Sequence, residues 1–240
     1  MEVLVLNKRL KAVVDKIGNP QLRRKVADFL QNPTVKVGGK SYSGIPIDRA
    51  PASLSHHHNY PGGLVEHVAS TCEIALSLLN IARKVYNAKI DRDLVLCGVI
   101  LHDLFKPLSY AERSNGTYIR TPLAERVDHL TLISSELIRR GFPLELVHVV
   151  CSSHGEEFSP IGPRTVEALI CHLADLIDSR FSGDVLRAAR YLAREATGED
   201  MGRITTSEAL KIVSAKQSGG WNGVRDALRK LGKGRSKPCR

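Results

Sequence analysis

Apolar side chains recur three and four positions apart along nearly the whole chain, the period of helices that bury one face. The pattern predicts helices over 6–14 and 22–30, broken by Gly18-Asn19-Pro20, then near 64–84, 92–104, 122–140, 143–153, 163–181 and 183–196. Two more are predicted near 205–216 and 221–231. Pro122, Pro143 and Pro163 suit first-turn positions, where a missing N–H costs nothing. Two stretches are β-leaning instead. Residues 34–43 turn about Gly38-Gly39, and residues 107–121 turn about Asn115-Gly116, so each reads as a hairpin. Residues 44–62 hold three prolines and three consecutive histidines, too long for a passive connection; long loops are where function concentrates. The expected fold is all-α: a helical bundle with a small N-terminal β-hairpin and a basic helical C-terminal extension. The expected divisions are 1–43, 44–200 and 201–240, with the final GKGRSKPCR disordered.

Certain polar residues interrupt this pattern where burial is expected. Glu66-His67 opens one long helix, and His102-Asp103 closes the next, directly after LVLCGVIL. Asp128-His129 and His154 fall in the following two, and Asp175 sits inside VEALICHLADLID. Buried charges are rare unless paired or metal-bound. One is noise, but five consecutive helices each placing one inward point to a shared centre in a bundle. Imidazole with carboxylate suits Mn, Fe, Co, Ni or Zn rather than Mg or Ca. A carboxylate flanked by histidines bridges two such ions, which hold a hydroxide and clamp a phosphoryl group for in-line attack. No dinucleotide or P-loop glycine motif is present.

Composition adds limits. With 42% hydrophobic and 25% charged residues the chain is globular, not fibrous or disordered. No uninterrupted apolar run reaches the length of a membrane span, and MEVLVLNKRLKAVVDK breaks at Asn7, Lys8 and Arg9 with no cleavage site, so a cytoplasmic location and no membrane partner are expected. The five cysteines form no CxxC and read as reduced. The formal charge is +10, and residues 203–240 carry ten Lys/Arg against two Asp/Glu, which accounts for +8 of it. That segment suggests a polyanionic partner, nucleic acid included, although Trp221 is its only aromatic. It holds no candidate ligand, so it is expected to supply attraction rather than chemistry.

His67, His102-Asp103 and Asp175 resemble the H…HD…D signature of the HD-domain phosphohydrolase superfamily, and the extra His129 and His154 resemble its two-metal subgroup. The resemblance extends to the YhaM-type 3′–5′ exoribonucleases over about residues 18–182. It is carried by Ala50-Pro51-Ala52, His57-His58, Tyr60, Gly62-Gly63-Leu64, Glu66-His67, His102-Asp103 with Lys106, and Ser152, His154 and Gly155. Pro163, Thr165, Glu167-Ala168, His172, Asp175 and Asp178 continue it. Three positions depart from that pattern: Phe105 replaces a glycine, Ser153 a histidine, and Asp128 a glycine. The family's N-terminal OB fold has no counterpart before residue 44.

The resemblance implies a metal-dependent phosphohydrolase that cleaves a phosphoester with a metal-activated hydroxide. Two divalent transition-metal ions are expected, manganese first, with Fe, Co, Ni or Zn as alternatives. Asp103 would bridge them, with His67, His102 and Asp175 on one ion and His129 and His154 on the other. Asp103 and Lys106 are the expected catalytic residues. Lys106, His57, His58, Arg120 and Asp178 are expected on the substrate side, with Arg126 a further phosphate candidate. Glu66 and His172 would support ligands from behind. The expected substrate is RNA, in the manner of a 3′–5′ exoribonuclease. A nucleotide or cyclic-nucleotide phosphohydrolase is the alternative, and a non-catalytic scaffold that binds nucleic acid or nucleotide is a third reading, opposed by the intact His102-Asp103 pair. The oligomeric state is not legible.

Overall fold

The computed structural model describes residues 7–114 and 116–232. Ten helices and two two-stranded antiparallel ribbons are assigned among them. The chain opens with α1 (Lys8–Val14) and α2 (Pro20–Gln31). Asn19 caps α2 by accepting the N–H groups of Gln21 and Leu22, and Pro20 fills its first turn. The expected first hairpin follows as β1 (Val35–Val37) and β2 (Lys40–Tyr42), with Gly38 and Gly39 both at positive φ. The long histidine-bearing loop then leads into α3 (Gly63–Tyr86) and α4 (Arg92–Leu101).

After α4 come the short α5 (Lys106–Ser109), β3 (Tyr110–Glu112) paired with β4 (Tyr118–Arg120), α6 (His129–Arg139), α7 (Leu144–Cys151), the one-turn α8 (Gly155–Phe158), α9 (Val166–Thr197) and α10 (Thr206–Lys230). Asn115 of the expected second turn, the first six residues and the end from 233, Cys239 included, lie outside the described residues.

Three boundaries differ from the sequence pattern. The helix expected over 122–140 begins only at His129. Asp128 accepts the Thr131 N–H and so caps α6 instead of lying inside it, and Thr121 holds the preceding turn through the Ala124 N–H. The helices expected at 163–181 and 183–196 are one, because a helix-interior glycine costs only about 1 kcal/mol. The buried stripe Asp175, Asp178, Ser182, Leu186, Ala189, Ala193 runs unbroken through Gly183. The two C-terminal helices are joined, with a kink at Gly220 (φ 58°, ψ −145°).

Two cores result. The main one packs α1 and α2 with α3, α4, α6, α7 and the first half of α9. Phe105 is fully buried there, its ring edge-on to Phe29 of α2 at 5.6 Å, so the N-terminal helices receive the aromatic ring that departs from the glycine pattern. Cys72, Cys97 and Cys171 are buried free thiols and Cys151 is partly buried. By length and hydropathy α3 is able to cross a membrane, yet it buries nine residues, His67 among them, in this protein's interior. The second core lies between the later half of α9 and α10: Leu186, Ala189, Ala193, Ile204, Ala209, Ile212, Val224 and Leu228 pack with Tyr60 from the long loop. The C-terminal segment is therefore docked by apolar burial as well as charged, which the charge count alone did not indicate.

Candidate metal centre and cavity

The long loop reaches the centre because it is seated on the start of α3. Leu64 N–H donates to Ala50 O (3.0 Å), and Ala52 N–H donates to His58 O (3.1 Å). A Cβ on Gly63 would lie 2.1 Å from the His58 carbonyl oxygen, so only glycine permits this approach. His58 itself is held at φ 42°, a conformation a non-glycine residue keeps only under surrounding constraint.

Three elements deliver the buried cluster. α3 carries His67, the end of α4 carries His102 and Asp103, and α9 carries Asp175. His67 Nε2 lies 3.4 Å from Asp103 Oδ2, 3.2 Å from Asp175 Oδ1 and 3.4 Å from His102 Nε2. His102 Nε2 is 3.4 Å from Asp103 Oδ2 and 3.7 Å from Asp175 Oδ1. On the other side of Asp103, its Oδ1 faces His129 Nε2 (3.2 Å) from the start of α6 and His154 Nε2 (3.5 Å) from the turn before α8. Those two imidazole nitrogens are 3.0 Å apart.

These spacings fit metal ions. Ligands bonded at about 2.0–2.2 Å to one ion stand roughly 3–3.6 Å from one another. Both oxygens of Asp103 are fully buried, surrounded by nitrogens, and accept no hydrogen bond of good geometry. Lys106 reaches only Oδ2, and a buried carboxylate oxygen such as Oδ1, with imidazole nitrogens alone beside it, is costly unless a cation takes its lone pairs. The ring tautomers agree. His67 donates Nδ1–H to Asp178 (2.7 Å), His102 donates Nδ1–H to the Val99 carbonyl (2.8 Å) and His154 donates Nδ1–H to Asp175 (2.9 Å), so each turns Nε2 to the centre. The sets His67, His102, Asp103 and Asp103, His129, His154 each bring their ligand atoms close enough to hold one ion.

Electrostatics follow from this crowding. Burial alone would raise the Asp103 and Asp175 carboxyls, but the surrounding imidazoles, and for Asp103 the Lys106 ammonium, hold both well below the usual range. Lys106 Nζ is 2.7 Å from Asp103 Oδ2; burial opposes its charge, and that carboxylate raises its pKa nonetheless. Burial brings His129 down to about 4, while Asp103 and Asp175 outweigh burial at His154 and raise it to about 9. His57 is lowered to about 2 by burial and by nearby His67 and Lys106, so it stays neutral.

A cavity of about 670 Å³ opens above the cluster. His57, Lys106, Arg120, His129, His154, His172 and Asp175 line it, together with Tyr110, Phe158 and Leu176. Other candidates stand elsewhere. Asp178 and His58 are each 2% exposed and lie behind His67, away from the cavity, because Asp178 is spent accepting from both rings. Glu66 does not reach His67; its carboxylate lies 3.1 Å from the Tyr60 hydroxyl. Arg126 turns back to the Pro122 carbonyl. His172 does support the centre's frame: it donates Nδ1–H to Ser153 O (3.0 Å), and its ring fills the space a Cβ on Gly155 (φ 77°) would need. Ser153 itself is buried with an unpartnered hydroxyl. Sequence reasoning missed Phe158 and Tyr110. Phe158 carried one signal, its position one helical turn beyond His154.

A family model for the HD domain matches residues 64–180. The chain is 37% identical over 206 residues to the dihydroneopterin 2′,3′-cyclic phosphate phosphodiesterase of Methanocaldococcus jannaschii, covering 86% of this chain and 80% of that protein. It is 32% identical over 190 residues to the 3′-5′ exoribonuclease YhaM of Oceanobacillus iheyensis and 31% identical over 198 residues to that of Bacillus licheniformis, covering 76% and 78% of this chain. It spans 55% and 56% of those exoribonucleases, about half their length. No solved structure matches it.

Proposed function

The chain belongs to the HD-domain metal-dependent phosphohydrolases, which cleave ester bonds, and from that premise we propose that it opens a small phosphodiester, a 2′,3′-cyclic phosphate attached to a planar heteroaromatic group. The observation that carries this reading is the cavity. Its 670 Å³ is the size of a site for one nucleotide-like ligand, with cationic and imidazole groups around its floor and Tyr110 and Phe158 on its walls. Phe158 is 72% exposed, an apolar ring whose face is free to stack on a base. The similarity to a cyclic phosphate phosphodiesterase over four-fifths of that protein's length supports the same chemistry.

In this reading His67, His102, Asp103 and Asp175 would hold one divalent transition-metal ion, and His129, His154 and Asp103 would hold a second. Bound there, such ions supply an activated water and neutralise phosphoryl charge. The protein's own groups do the rest. Arg120, on the cavity wall, receives the phosphate oxygens as a planar fork of donors. Lys106 remains an ammonium and sets a fixed positive charge beside the oxygens on which negative charge grows. Neutral His57 offers a ring nitrogen for a hydrogen bond and no charge.

A 3′–5′ exoribonuclease activity is the second reading, favoured by the +8 carried by residues 203–240. Incubating the protein and Mn²⁺ with a nucleoside 2′,3′-cyclic monophosphate and, separately, with a 5′-labelled oligoribonucleotide decides between them. Ring opening to a monophosphate with the oligonucleotide left intact is the expected result. Stepwise shortening of the RNA with the cyclic nucleotide untouched would establish the second reading instead. For the small substrate, Phe158→Ala should raise KM about tenfold with kcat retained, since one stacked base contributes about 1–3 kcal/mol.

A further inference from the structure

We propose that Asp178, His58, Tyr60 and Thr206 form a hydrogen-bonded relay that orients His67 and thereby sets metal affinity, so that the docked C-terminal helix acts on the metal centre from behind; this rests on His67 being a metal ligand as proposed above. Asp178 Oδ2 accepts Nδ1–H of His67 at 2.7 Å and Nε2–H of His58 at 2.9 Å. With Nε2–H given to Asp178, His58 Nδ1 accepts the Tyr60 hydroxyl proton at 2.8 Å, for which Glu66 Oε2 at 3.1 Å is the competing acceptor. The same hydroxyl lies 2.8 Å from Thr206 Oγ1 and accepts the Thr206 N–H at 3.2 Å. A second branch joins the same ends: Thr206 Oγ1 meets Ser182 Oγ at 2.8 Å, and Ser182 Oγ accepts the His58 main-chain N–H at 3.3 Å.

Every member is buried, with exposure between 0 and 6%. Groups this buried are poorly hydrated, so a bond lost here leaves its partner with less compensation than at the surface, even though a groove beside Glu66 and Phe181 reaches His58, Asp178 and Thr206. The far end of the relay is anchored. Thr206 is the first residue of α10, immediately after a capping box in which Thr205 and Glu208 bond reciprocally, and α10 is docked on α9 through the second core. The near end matters because the Nδ1–H bond to a carboxylate fixes both the tautomer and the tilt of a ligating imidazole. These are positioning residues, since none of them lines the cavity over the cluster.

The test is equilibrium Mn²⁺ binding to the full chain, read by competition with a chelator, alongside thermal unfolding. Asp178→Asn should weaken Mn²⁺ binding about 10- to 100-fold. Tyr60→Phe and Thr206→Val keep the packed shape and remove one hydroxyl; each should weaken binding by about two- to tenfold, the value of one hydrogen bond. Val26→Ala, on the buried face of α2 in the main core, should lower the melting temperature and leave Mn²⁺ affinity unchanged. If Asp103→Asn loses Mn²⁺ while Asp178→Asn and Tyr60→Phe bind it like the parent protein, the relay is wrong and the metal centre stands. If Val26→Ala weakens binding as much as Tyr60→Phe, general loosening explains the effect and the relay is again wrong. If Asp103→Asn binds Mn²⁺ like the parent, the centre is misplaced and the relay falls with it.

Discussion

His67 has two sides, and they are built differently. Behind it, Asp178, His58, Tyr60, Ser182 and Thr206 form a closed network in which the carboxylate has its donors and the hydroxyls have partners. In front, Asp103 is just as buried: Lys106 pairs with its Oδ2 at 2.7 Å, but the four imidazole nitrogens that stand 3.2–3.5 Å from its two oxygens form no well-aligned hydrogen bond to them. Burial alone therefore does not mark the reactive side. What marks it is buried polar atoms left unsatisfied by the protein, because folding would not otherwise retain that cost. The satisfied side supplies rigidity, and the unsatisfied side supplies binding.

The sharpest way to break this comparison is to neutralise the unsatisfied carboxylate. Asp103→Asn keeps the shape but removes the one anion that faces both ligand sets. Loss of charge stabilisation worth several kcal/mol corresponds to a fall in kcat/KM of about a thousandfold or more on any phosphodiester. Metal analysis after dialysis against Mn²⁺ should show both ions lost, with circular dichroism confirming a helical fold. A variant that retains two ions and its activity would remove Asp103 from the centre.

The next effect falls on the satisfied side. Leu228 is 1% exposed in the second core, and truncating such a leucine to alanine costs about 2–5 kcal/mol. Leu228→Ala should lower the melting temperature by roughly 5–15 °C in a chain of this size. Deleting residues 203–240 should do more, because it uncovers Tyr60, Leu186 and Ala189 and removes Thr206. Hydrolysis of a small diester should then fall together with hydrolysis of RNA. If small-diester kinetics are unchanged in the truncated protein, the C-terminal segment serves only as charge.

The two sides were unequally legible in the sequence. His67, His102, Asp103, His129, His154 and Asp175 stood out because each is a charged or imidazole residue where helical periodicity demands an apolar one, and the structure brings all six together. Asp178 has the same periodicity as Asp175, and only the three-dimensional direction of its carboxylate separates a group facing the cavity from one behind a ligand. Ser182 and Thr206 gave no signal, and Tyr60 entered only as one of the positions that carry the family resemblance, with no role attached to it. All three are common polar types at ordinary positions, and Tyr60 meets Thr206 across 146 residues of chain. The late start of α6 was missed for a local reason: Asp128 precedes an apolar stretch equally well as a helix interior residue or as its cap, and the cap bond to Thr131 decides it.

The smallest expected effect, a pH dependence, comes from the pair His129 and His154. Their Nε2 atoms are 3.0 Å apart, a distance at which, without a metal ion, one proton is shared between them. His154 carries it. Burial works against this charge, but Asp103 and Asp175 raise its pKa to about 9, whereas His129 at about 4 stays neutral. In the unfolded chain a histidine titrates near 6.5. Between about pH 6.5 and 9 the folded, metal-free protein thus binds a proton the unfolded chain does not. That contribution to stability is fully present below about 6.5 and is lost as pH rises through about 9. A metal ion at the same nitrogen displaces the proton, so the loaded protein has no such loss, and metal uptake near neutral pH releases a proton. Melting temperatures with chelator and with Mn²⁺, taken at about pH 6 and about pH 9, should show the metal-induced gain growing with pH. Subtracting the same series for His154→Gln isolates this histidine from the other groups that titrate in the range. If the metal-free parent and the variant lose stability in parallel between those two pH values, the proton does not reside on His154.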